Sequence, residues 1–300
     1  MKLRSKLAIK CAKTTSYLIK KLNRGSGVTL PGYVARLIDP QILSTMASMV
    51  REKTIVTMGT NGKTTTNSIL YHALKAEGKS VIINRTGANM LNGIISAFVL
   101  STDRHGQLDA DYACIEVDEI ASVGVLPQLK PDYALLTNIS RDQLDRFGEV
   151  DITYNKLKTA VTSVPDTKLI INCDDILSYA LAKESQNPFV TYGISEQIFD
   201  DISRSEIRES IFCRSCGKKL EYDFSITDSL AFIIARTVGS KDRSLILPHR
   251  IFTSMMRYMI LIWTACGSIP PHALLTTSIT RCPHTPHFAP WMRTNPIFRK

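Results

Sequence analysis

The chain has 300 residues, of which 44% are apolar and 21% are charged, and its formal net charge is +10. This composition is that of a globular protein with room for about two domains. No apolar run approaches the ~20 residues of a bilayer-spanning helix, which argues against an integral membrane protein. Seven cysteines without a secretory signal favour a reducing environment over a disulfide framework, so we expect a cytoplasmic location.

The first 50 residues predict a basic helical segment. Up to Arg24 they contain eight lysines and arginines and no carboxylate side chain. Leucines at positions 3, 7, 18 and 22 give this stretch a rough amphipathic character. Such a helix could lie on the anionic cytoplasmic face of a membrane, or it could pack on the protein body with its basic face in solvent. No motif supports nucleic-acid binding, so we expect no nucleic-acid partner.

A glycine-rich segment follows an apolar stretch at residues 54–56 and precedes a helical pattern at residues 67–76. A turn of this kind directs backbone N–H groups and the helix dipole at an anion. Gly59 and Gly62 permit close approach of the backbone, Lys63 supplies a charge for the outer phosphates, and Thr64 offers a hydroxyl to Mg²⁺. Thr57 stands where the common phosphate-loop pattern has its first glycine. We call residues 59–65 the phosphate cradle; its members are Gly59, Thr60, Asn61, Gly62, Lys63, Thr64 and Thr65. The sequence predicts that it binds ATP, and the alternative is an ordinary strand–turn–helix corner.

Further along the chain, apolar stretches alternate with helical patterns. Strands are predicted at residues 54–56, 80–83, 112–117, 133–138 and 168–172, and the clearest later helix at residues 153–164. Continuous apolar strands separated by helices indicate an α/β domain with a mostly parallel sheet that is covered on both faces. Ligands of such sheets bind beyond the carboxyl ends of the strands.

Polar side chains cluster at the carboxyl ends of three of these strands. They are Glu116, Asp118 and Glu119 in and after the third, Asn138 and Asp142 at the end of and after the fourth, and Asn172 and Asp175 at the end of and after the fifth. A carboxylate here could hold Mg²⁺, which uses few protein ligands and keeps several waters. The alternatives are solvated strand ends and, for Asp175, a cap on the next helix.

Four motifs together resemble the central domain of the Mur ligase family. They are GTNGKTT at 59–65, EVDE at 116–119, TNISRDQLD at 137–145 and NCDD at 172–175. The basic start and the RDQLDRFG form of the third motif resemble most closely the MurT branch, the synthetase subunits of lipid II isoglutaminyl synthase. The resemblance covers residues 1–224. Gln143 stands where many Mur ligases have a histidine that contacts a second metal ion.

The resemblance implies ATP-dependent amidation of the D-glutamate α-carboxylate of lipid II to D-isoglutamine. ATP phosphorylates the carboxylate, and ammonia from a GatD-type glutaminase subunit attacks the acyl phosphate. By the same resemblance the phosphate cradle binds the phosphates, Thr64 and Glu116 hold Mg²⁺, and Asn138 and Asp142 shape the site. Asn172 and Asp175 are expected to face the nucleoside. Lipid II would be met at the inner leaflet of the membrane.

The MurT branch also resembles a Mur ligase with an inserted zinc ribbon, and Cys213 and Cys216 match half of it. A structural zinc site needs four ligands, and no second pair follows at the required spacing, so zinc binding is not expected. From Ser225 the composition changes, and no carboxylate side chain follows Asp242. The genetic code allows codons for residues 233–243 that encode a C-x-x-C-Gly knuckle when they are read in another frame. This knuckle would supply the missing zinc pair, which favours a frameshift near Phe224. The alternative is a disordered basic tail.

The predicted organisation has four parts. Residues 1–50 form the basic helical segment, 51–204 the central ATP-binding domain, 205–243 a degraded zinc ribbon, and 244–300 an aberrant, irregular tail. The resemblance places the family's catalytic aspartate in a C-terminal ligase domain, so no catalytic residue is expected in this chain. Two alternatives to an amidating ligase stay open: an inactive nucleotide-binding fragment and another Mur-type ligase, similar to folyl-polyglutamate synthetase.

Overall fold

A parallel β-sheet forms the centre of the protein. The structure is a computed structural model that describes residues 1–22, 28–84, 88–140, 149–193, 220–222 and 235–237. The strands of the sheet are β1 (Lys53–Met58), β2 (Val81–Ile83), β3 (Tyr112–Glu116), β4 (Tyr133–Leu136), β5 (Lys168–Asn172) and β6 (Phe189–Tyr192). Their order is β2-β3-β1-β4-β5-β6, and every neighbouring pair is parallel. The predicted α/β fold and its five strands are confirmed, and β6 is a sixth strand that was not predicted.

Eight helices accompany the sheet within the described residues. They are α1 (Leu3–Lys21), α2 (Leu30–Ile38), α3 (Ile42–Ala47), α4 (Lys63–Ala76), α5 (Leu91–Leu100), α6 (Ser122–Leu129), α7 (Glu149–Thr162) and α8 (Ile176–Ser185). The helix predicted at residues 153–164 is α7, which begins four residues earlier. A parallel sheet requires such crossover connections, and five of the helices, α4 to α8, each lie between two consecutive strands of the sheet.

The two faces of the sheet have different cores. Side chains alternate between faces along each strand, so Val56 and Met58 enter the larger core with α5, α6 and α7. Ile55, one residue before Val56, points to the other face, where Cys114 and Leu135 pack against Leu70 of α4 in a smaller cluster. Helix α4, whose first three residues belong to the phosphate cradle, therefore covers the second face.

The basic start of the chain is helical, as predicted, and it packs on the body. Helix α1 buries small side chains, among them Ala8 and Ala12, and contacts α2, which in turn contacts α5. A Cβ atom on Gly32 of α2 would lie 2.8 Å from the backbone nitrogen of Ser96 on α5, so these helices approach each other closely. Small residues at both contacts allow the helix axes to come together.

Two further strands, β7 (Leu220–Tyr222) and β8 (Ala235–Thr237), pair in antiparallel register. Both strands belong to the segment that the sequence assigns to a degraded zinc ribbon. Its cysteines, Cys213 and Cys216, lie outside the described residues, as do Asp142 and the tail at 244–300. Among the residues that the structure describes, no helix is long and apolar enough to cross a membrane.

Candidate nucleotide-phosphate site

The phosphate cradle leaves the start of α4 open. Gly62 is the N-cap residue, has a left-handed backbone (φ 81°), and no side chain caps the helix. The first N–H groups of an α-helix have no partner within the helix, so those of Lys63, Thr64 and Thr65 remain available. Thr64 and Thr65 are both exposed. An uncapped and accessible helix N-terminus is suited to bind a phosphate.

The loop after β4 holds the phosphate cradle in place. The Asn138 side chain accepts a hydrogen bond from the Asn61 backbone nitrogen (3.0 Å) and donates one to the Asn61 carbonyl oxygen (3.1 Å). The Thr60 hydroxyl donates to the Ser140 carbonyl oxygen at 3.0 Å, and Thr137 donates to the Asn61 carbonyl oxygen at 2.7 Å. These contacts order the cradle without occupying the start of α4. Asn138 was predicted to shape the site, and it contacts the loop, whereas Ser140 and Thr137 were missed.

Gly59 is required by this close packing. Its φ of 121° is unfavourable for residues with a side chain, and a Cβ atom would lie 2.7 Å from the Asn138 carbonyl oxygen. Gly62 differs, because nothing lies within 4 Å of a Cβ atom built there. Thr57, at the position of the first glycine in the common pattern, is a buried residue of β1. The first turn of the loop therefore needs a glycine at 59 and not at 57.

Lys63 is engaged by the protein itself. Its ammonium lies 2.7 Å from Glu119 Oε1, and both side chains are only 14% exposed. It also donates to the carbonyl oxygens of Gly59 (2.5 Å) and Thr60 (3.1 Å). Lys63 is predicted from the sequence to bind the phosphates, and Glu119 belongs to an acidic cluster of which a carboxylate could hold Mg²⁺. The structure shows that Glu119 is its ionic partner, 56 residues away in the chain.

Glu116 ends β3 next to β1, opposite Thr57 in the register. It is 4% exposed, and its Oε1 accepts a hydrogen bond from the Asn89 amide at 3.1 Å. Asn84 bonds to the backbone nitrogen and carbonyl oxygen of the same residue, at 2.8 and 2.7 Å. A fixed carboxylate beside the end of β1 and an exposed Thr64 hydroxyl suit Mg²⁺, which needs only one or two protein ligands. The described residues contain no cluster of three or more His, Cys, Asp or Glu that could hold a metal ion without a nucleotide.

Asn172 and Asp175, at the end of β5, support the same loop. The Asn172 amide donates to the Thr137 carbonyl oxygen at 2.9 Å. Asp175 caps α8 by accepting from the Ser178 backbone nitrogen (3.1 Å), and it also accepts from the Ile139 backbone nitrogen (2.8 Å). Burial raises the pKa of the Asp175 carboxyl to about 6, although the hydrogen bonds that it accepts lower it. Both side chains are thus used within the protein, and their contact with a nucleoside stays a prediction.

Comparison with known proteins agrees with this geometry. The chain matches the Mur ligase middle domain over residues 56–228, which is more than half of its length. It belongs to the Mur ligase family. It is 37% identical over 198 residues to the MurT subunit of the glutamine-hydrolysing lipid II isoglutaminyl synthase of Staphylococcus aureus strain COL, covering 66% of this chain and 44% of that one. The corresponding subunit of Streptococcus pneumoniae is 32% identical over 241 residues, covering 80% and 52%.

Among solved structures, this Mur ligase chain matches a type C pseudomurein peptide ligase from Methanothermus fervidus. That match has a TM-score of 0.48 and 24% identity, and it covers 63% of this chain and 36% of that one. The chain spans about half the length of the curated MurT relatives that it matches. The predicted family and the closeness to its MurT branch are confirmed.

The residues that the family resemblance assigns to the site have three outcomes. The phosphate cradle lies together with Glu116 and Asn138 at the carboxyl ends of β1, β3 and β4. Asn172 and Asp175 support the loop after β4, and Asp142, assigned to the metal and nucleotide, lies outside the described residues. Besides Thr137 and Ser140, the sequence reasoning did not assign Asn84 and Asn89, and it did not pair Glu119 with Lys63. The signal that could have found Glu119 is its place in EVDE, three residues after the predicted metal ligand.

Proposed function

We propose that this Mur ligase chain binds ATP with magnesium at the phosphate cradle and provides the carboxylate-activating part of an enzyme that amidates lipid II. The observation that carries the nucleotide assignment is the uncapped, exposed start of α4 beside Lys63. Polyphosphates bind such helix termini through backbone N–H groups and a nearby cation. A cradle that is ordered by Asn138 and left open toward the helix supports this assignment.

The side chains suggest how the phosphoryl group would be positioned. Lys63 and the first N–H groups of α4 would hold the outer phosphates, while Thr64 and Glu116 would hold the magnesium ion. When bound, the ion neutralises phosphate charge, and phosphoryl transfer depends mainly on such positioning and electrostatic stabilisation. The terminal phosphoryl group would pass to a substrate carboxylate and leave ADP. Ammonia would then displace phosphate from the acyl phosphate and form the amide.

The substrate and partner are proposed from the relatives. Two of them are named as subunits of a glutamine-hydrolysing lipid II isoglutaminyl synthase. We extend this to lipid II as substrate, with its D-glutamate α-carboxylate as the group that is amidated. A glutaminase subunit of the GatD type would supply ammonia. The zinc-ribbon and tail boundaries predicted at 205–243 and 244–300 are part of the same proposal.

Nucleotide binding is tested by titration calorimetry of the full chain with ATP and Mg²⁺. Lys63→Ala should weaken binding about 30-fold or more, because a charge-assisted contact with a phosphate is lost. Lys75→Ala, in the last turn of the same helix, is the matched control and should bind as the unchanged chain does. Equal affinity of the two variants would mean that the cradle is not the phosphate site.

Amidation is tested separately, with lipid II, glutamine, ATP and a GatD-type subunit, by mass spectrometry of the stem peptide. Product that depends on this chain and on Lys63 supports the full proposal. ATP binding without product supports the nucleotide-binding fragment instead. Glutamate addition to a folate substrate in a parallel screen would favour a ligase of the folyl-polyglutamate type.

A further inference from the structure

Helix α1 exposes its leucines. Leu3, Leu7, Leu18 and Leu22 are 84%, 53%, 48% and 63% exposed. Leu3 and Leu7 are four residues apart, as are Leu18 and Leu22, and the two pairs are separated by three helical turns, so all four share one stripe. The opposite side of the helix buries Ile9 and small residues such as Ala8 and Ala12. An amphipathic helix of a globular protein normally has the reverse arrangement, with its leucines toward the core.

Helix α2 adds a second exposed apolar stripe. Leu30, Tyr33 and Leu37 are 47%, 41% and 62% exposed and follow one another at helical spacing. The two helices run antiparallel, because Ser5 at the start of α1 donates to Asp39 at the end of α2 (2.6 Å). We call the exposed side chains of α1 and α2 the helix-pair surface. Single exposed leucines need no explanation, but this many on two adjacent helices indicate a contact surface.

The same surface is strongly basic. Its exposed lysines are Lys2, Lys6, Lys10, Lys20 and Lys21. No ion pair of these lysines occurs within the part of the chain that the structure describes. The first carboxylate in the sequence is Asp39, which is buried and bonded to Ser5. The positive charge around the leucines is therefore not balanced locally.

We infer that the helix-pair surface docks on an anionic lipid bilayer, with leucines at the acyl boundary and lysines against the headgroups. Helices with leucines on one side and lysines around them bind such interfaces through apolar burial and electrostatic attraction together. A second copy of the chain is a poorer occupant, because it would bring the same unbalanced positive charge to the contact. The docking depends only on α1 and α2 and stands apart from the nucleotide chemistry.

The experiment is co-sedimentation of the full chain with vesicles, without nucleotide. One set contains phosphatidylcholine alone, and the other contains about one third phosphatidylglycerol. The chain should bind the anionic vesicles at least about tenfold more tightly than the neutral ones, and about 0.5 M salt should remove most of the difference. Equal binding to both vesicle types, or none to either, would overturn the inference.

Two double variants separate the contributions of this surface. Leu7→Gln with Leu18→Gln, and Lys6→Gln with Lys10→Gln, should each weaken binding to anionic vesicles about tenfold. The matched control, Ile152→Gln with Lys156→Gln on α7, also replaces exposed side chains and should bind as the unchanged chain does. Circular dichroism verifies that all variants are folded. If the leucine variant binds vesicles normally but loses a dimer seen by light scattering, the surface is a protein interface and the inference is wrong.

The outcome is distinguishable from that of the proposed function. A chain that sediments with anionic vesicles but does not bind ATP would retain the docking inference and lose the nucleotide assignment. A chain that binds ATP but does not sediment with anionic vesicles would retain the nucleotide assignment and lose the docking inference. The leucine variant should bind ATP normally in either case, because α1 lies outside the phosphate cradle.

Discussion

The ion pair between Lys63 and Glu119 predicts that the protein restrains its own phosphate-binding lysine before a nucleotide arrives. Their charged atoms are 2.7 Å apart, and each side chain is 14% exposed. A nucleotide that takes the ammonium must compete with this carboxylate, and it must also approach a negative charge beside the cradle. The substitution Glu119→Gln keeps the size of the side chain and removes its charge. We expect it to increase the affinity for ATP when magnesium is absent.

The magnitude follows from the burial of the pair. Exposed ion pairs contribute about 0.2–1 kcal/mol, whereas hydrogen bonds to charged groups contribute about 1.5–3 kcal/mol. A pair that is mostly buried but at the mouth of an open site lies between these limits, near about 1.4 kcal/mol. That difference corresponds to about a tenfold change in a dissociation constant.

The assay is equilibrium binding of a fluorescent ATP analogue in the presence of EDTA, repeated with Mg²⁺. The control is Asp118→Asn, which removes the same charge one residue earlier from a carboxylate that accepts from the backbone nitrogens of Ile120 and Ala121. If both variants gain affinity for the ATP analogue equally, the effect comes from the loss of negative charge near the cradle and not from the contact between Glu119 and Lys63. Unchanged or weaker binding by Glu119→Gln in EDTA would refute the reasoning. A gain in EDTA that becomes a loss with Mg²⁺ would show that Glu119 also helps to hold the metal ion.

Two further predictions concern stability. Gly59→Ala should lower the free energy of unfolding, measured by urea denaturation, by at least about 2 kcal/mol, because the new methyl group meets the Asn138 backbone. Gly62→Ala should lower it by only about 1 kcal/mol, because the left-handed φ of this residue is its only cost. Equal losses would mean that the loop moves to accommodate residue 59. Burial raises the pKa of Asp175 to about 6, whereas its value in the unfolded chain is near 4. Between pH 4 and 6 the folded protein therefore binds more protons than the unfolded chain does, so its free energy of unfolding should fall as the pH rises through this interval. Asp175→Asn retains a capping acceptor but cannot titrate, so its free energy of unfolding should fall by about 2 kcal/mol less than that of the unchanged protein between pH 4 and 6. The measurement is urea denaturation at several pH values. If the urea midpoints of the two proteins change with pH in the same way, the prediction is wrong.

The sheet and the phosphate cradle could be predicted because their signals are local. Each of the five predicted strands is a short apolar run, and the glycines, lysine and threonine of the cradle are neighbours in sequence. Strand β6 was missed because Thr191 interrupts the apolar residues of Phe189–Tyr192, which are mostly half-buried at the sheet edge. Its residues therefore do not form the continuous apolar run that marks the central strands.

The contacts within the site could not be predicted, since they join residues that are distant in sequence. Asn138 contacts Asn61 across 77 residues, and Glu119 contacts Lys63 across 56. The sequence places each of these groups at the end of a strand, but only the register of the parallel sheet decides which of them meet. The side of α1 that is buried was also not predicted: its leucines suggest that side, whereas Ile9 and small residues such as Ala8 and Ala12 occupy it. The close approach of neighbouring helices selects small residues there, which a pattern of hydrophobicity alone does not reveal.

The hydrogen bonds around the cradle explain how the site can be ordered and still bind an anion. A side chain that capped α4 would stabilise the helix by about 1 kcal/mol, but it would occupy the N–H groups that a phosphate needs. Instead, the loop is ordered by hydrogen bonds between Asn61 and the side chains of Asn138, Thr137 and Ser140. The N-cap residue of α4 is Gly62, which has no side chain, and no other side chain caps the start of the helix. Because Asn138 supports the loop and does not compete for the helix start, Asn138→Ala should disorder the cradle and weaken ATP binding while leaving the open N-terminus of α4 chemically unchanged.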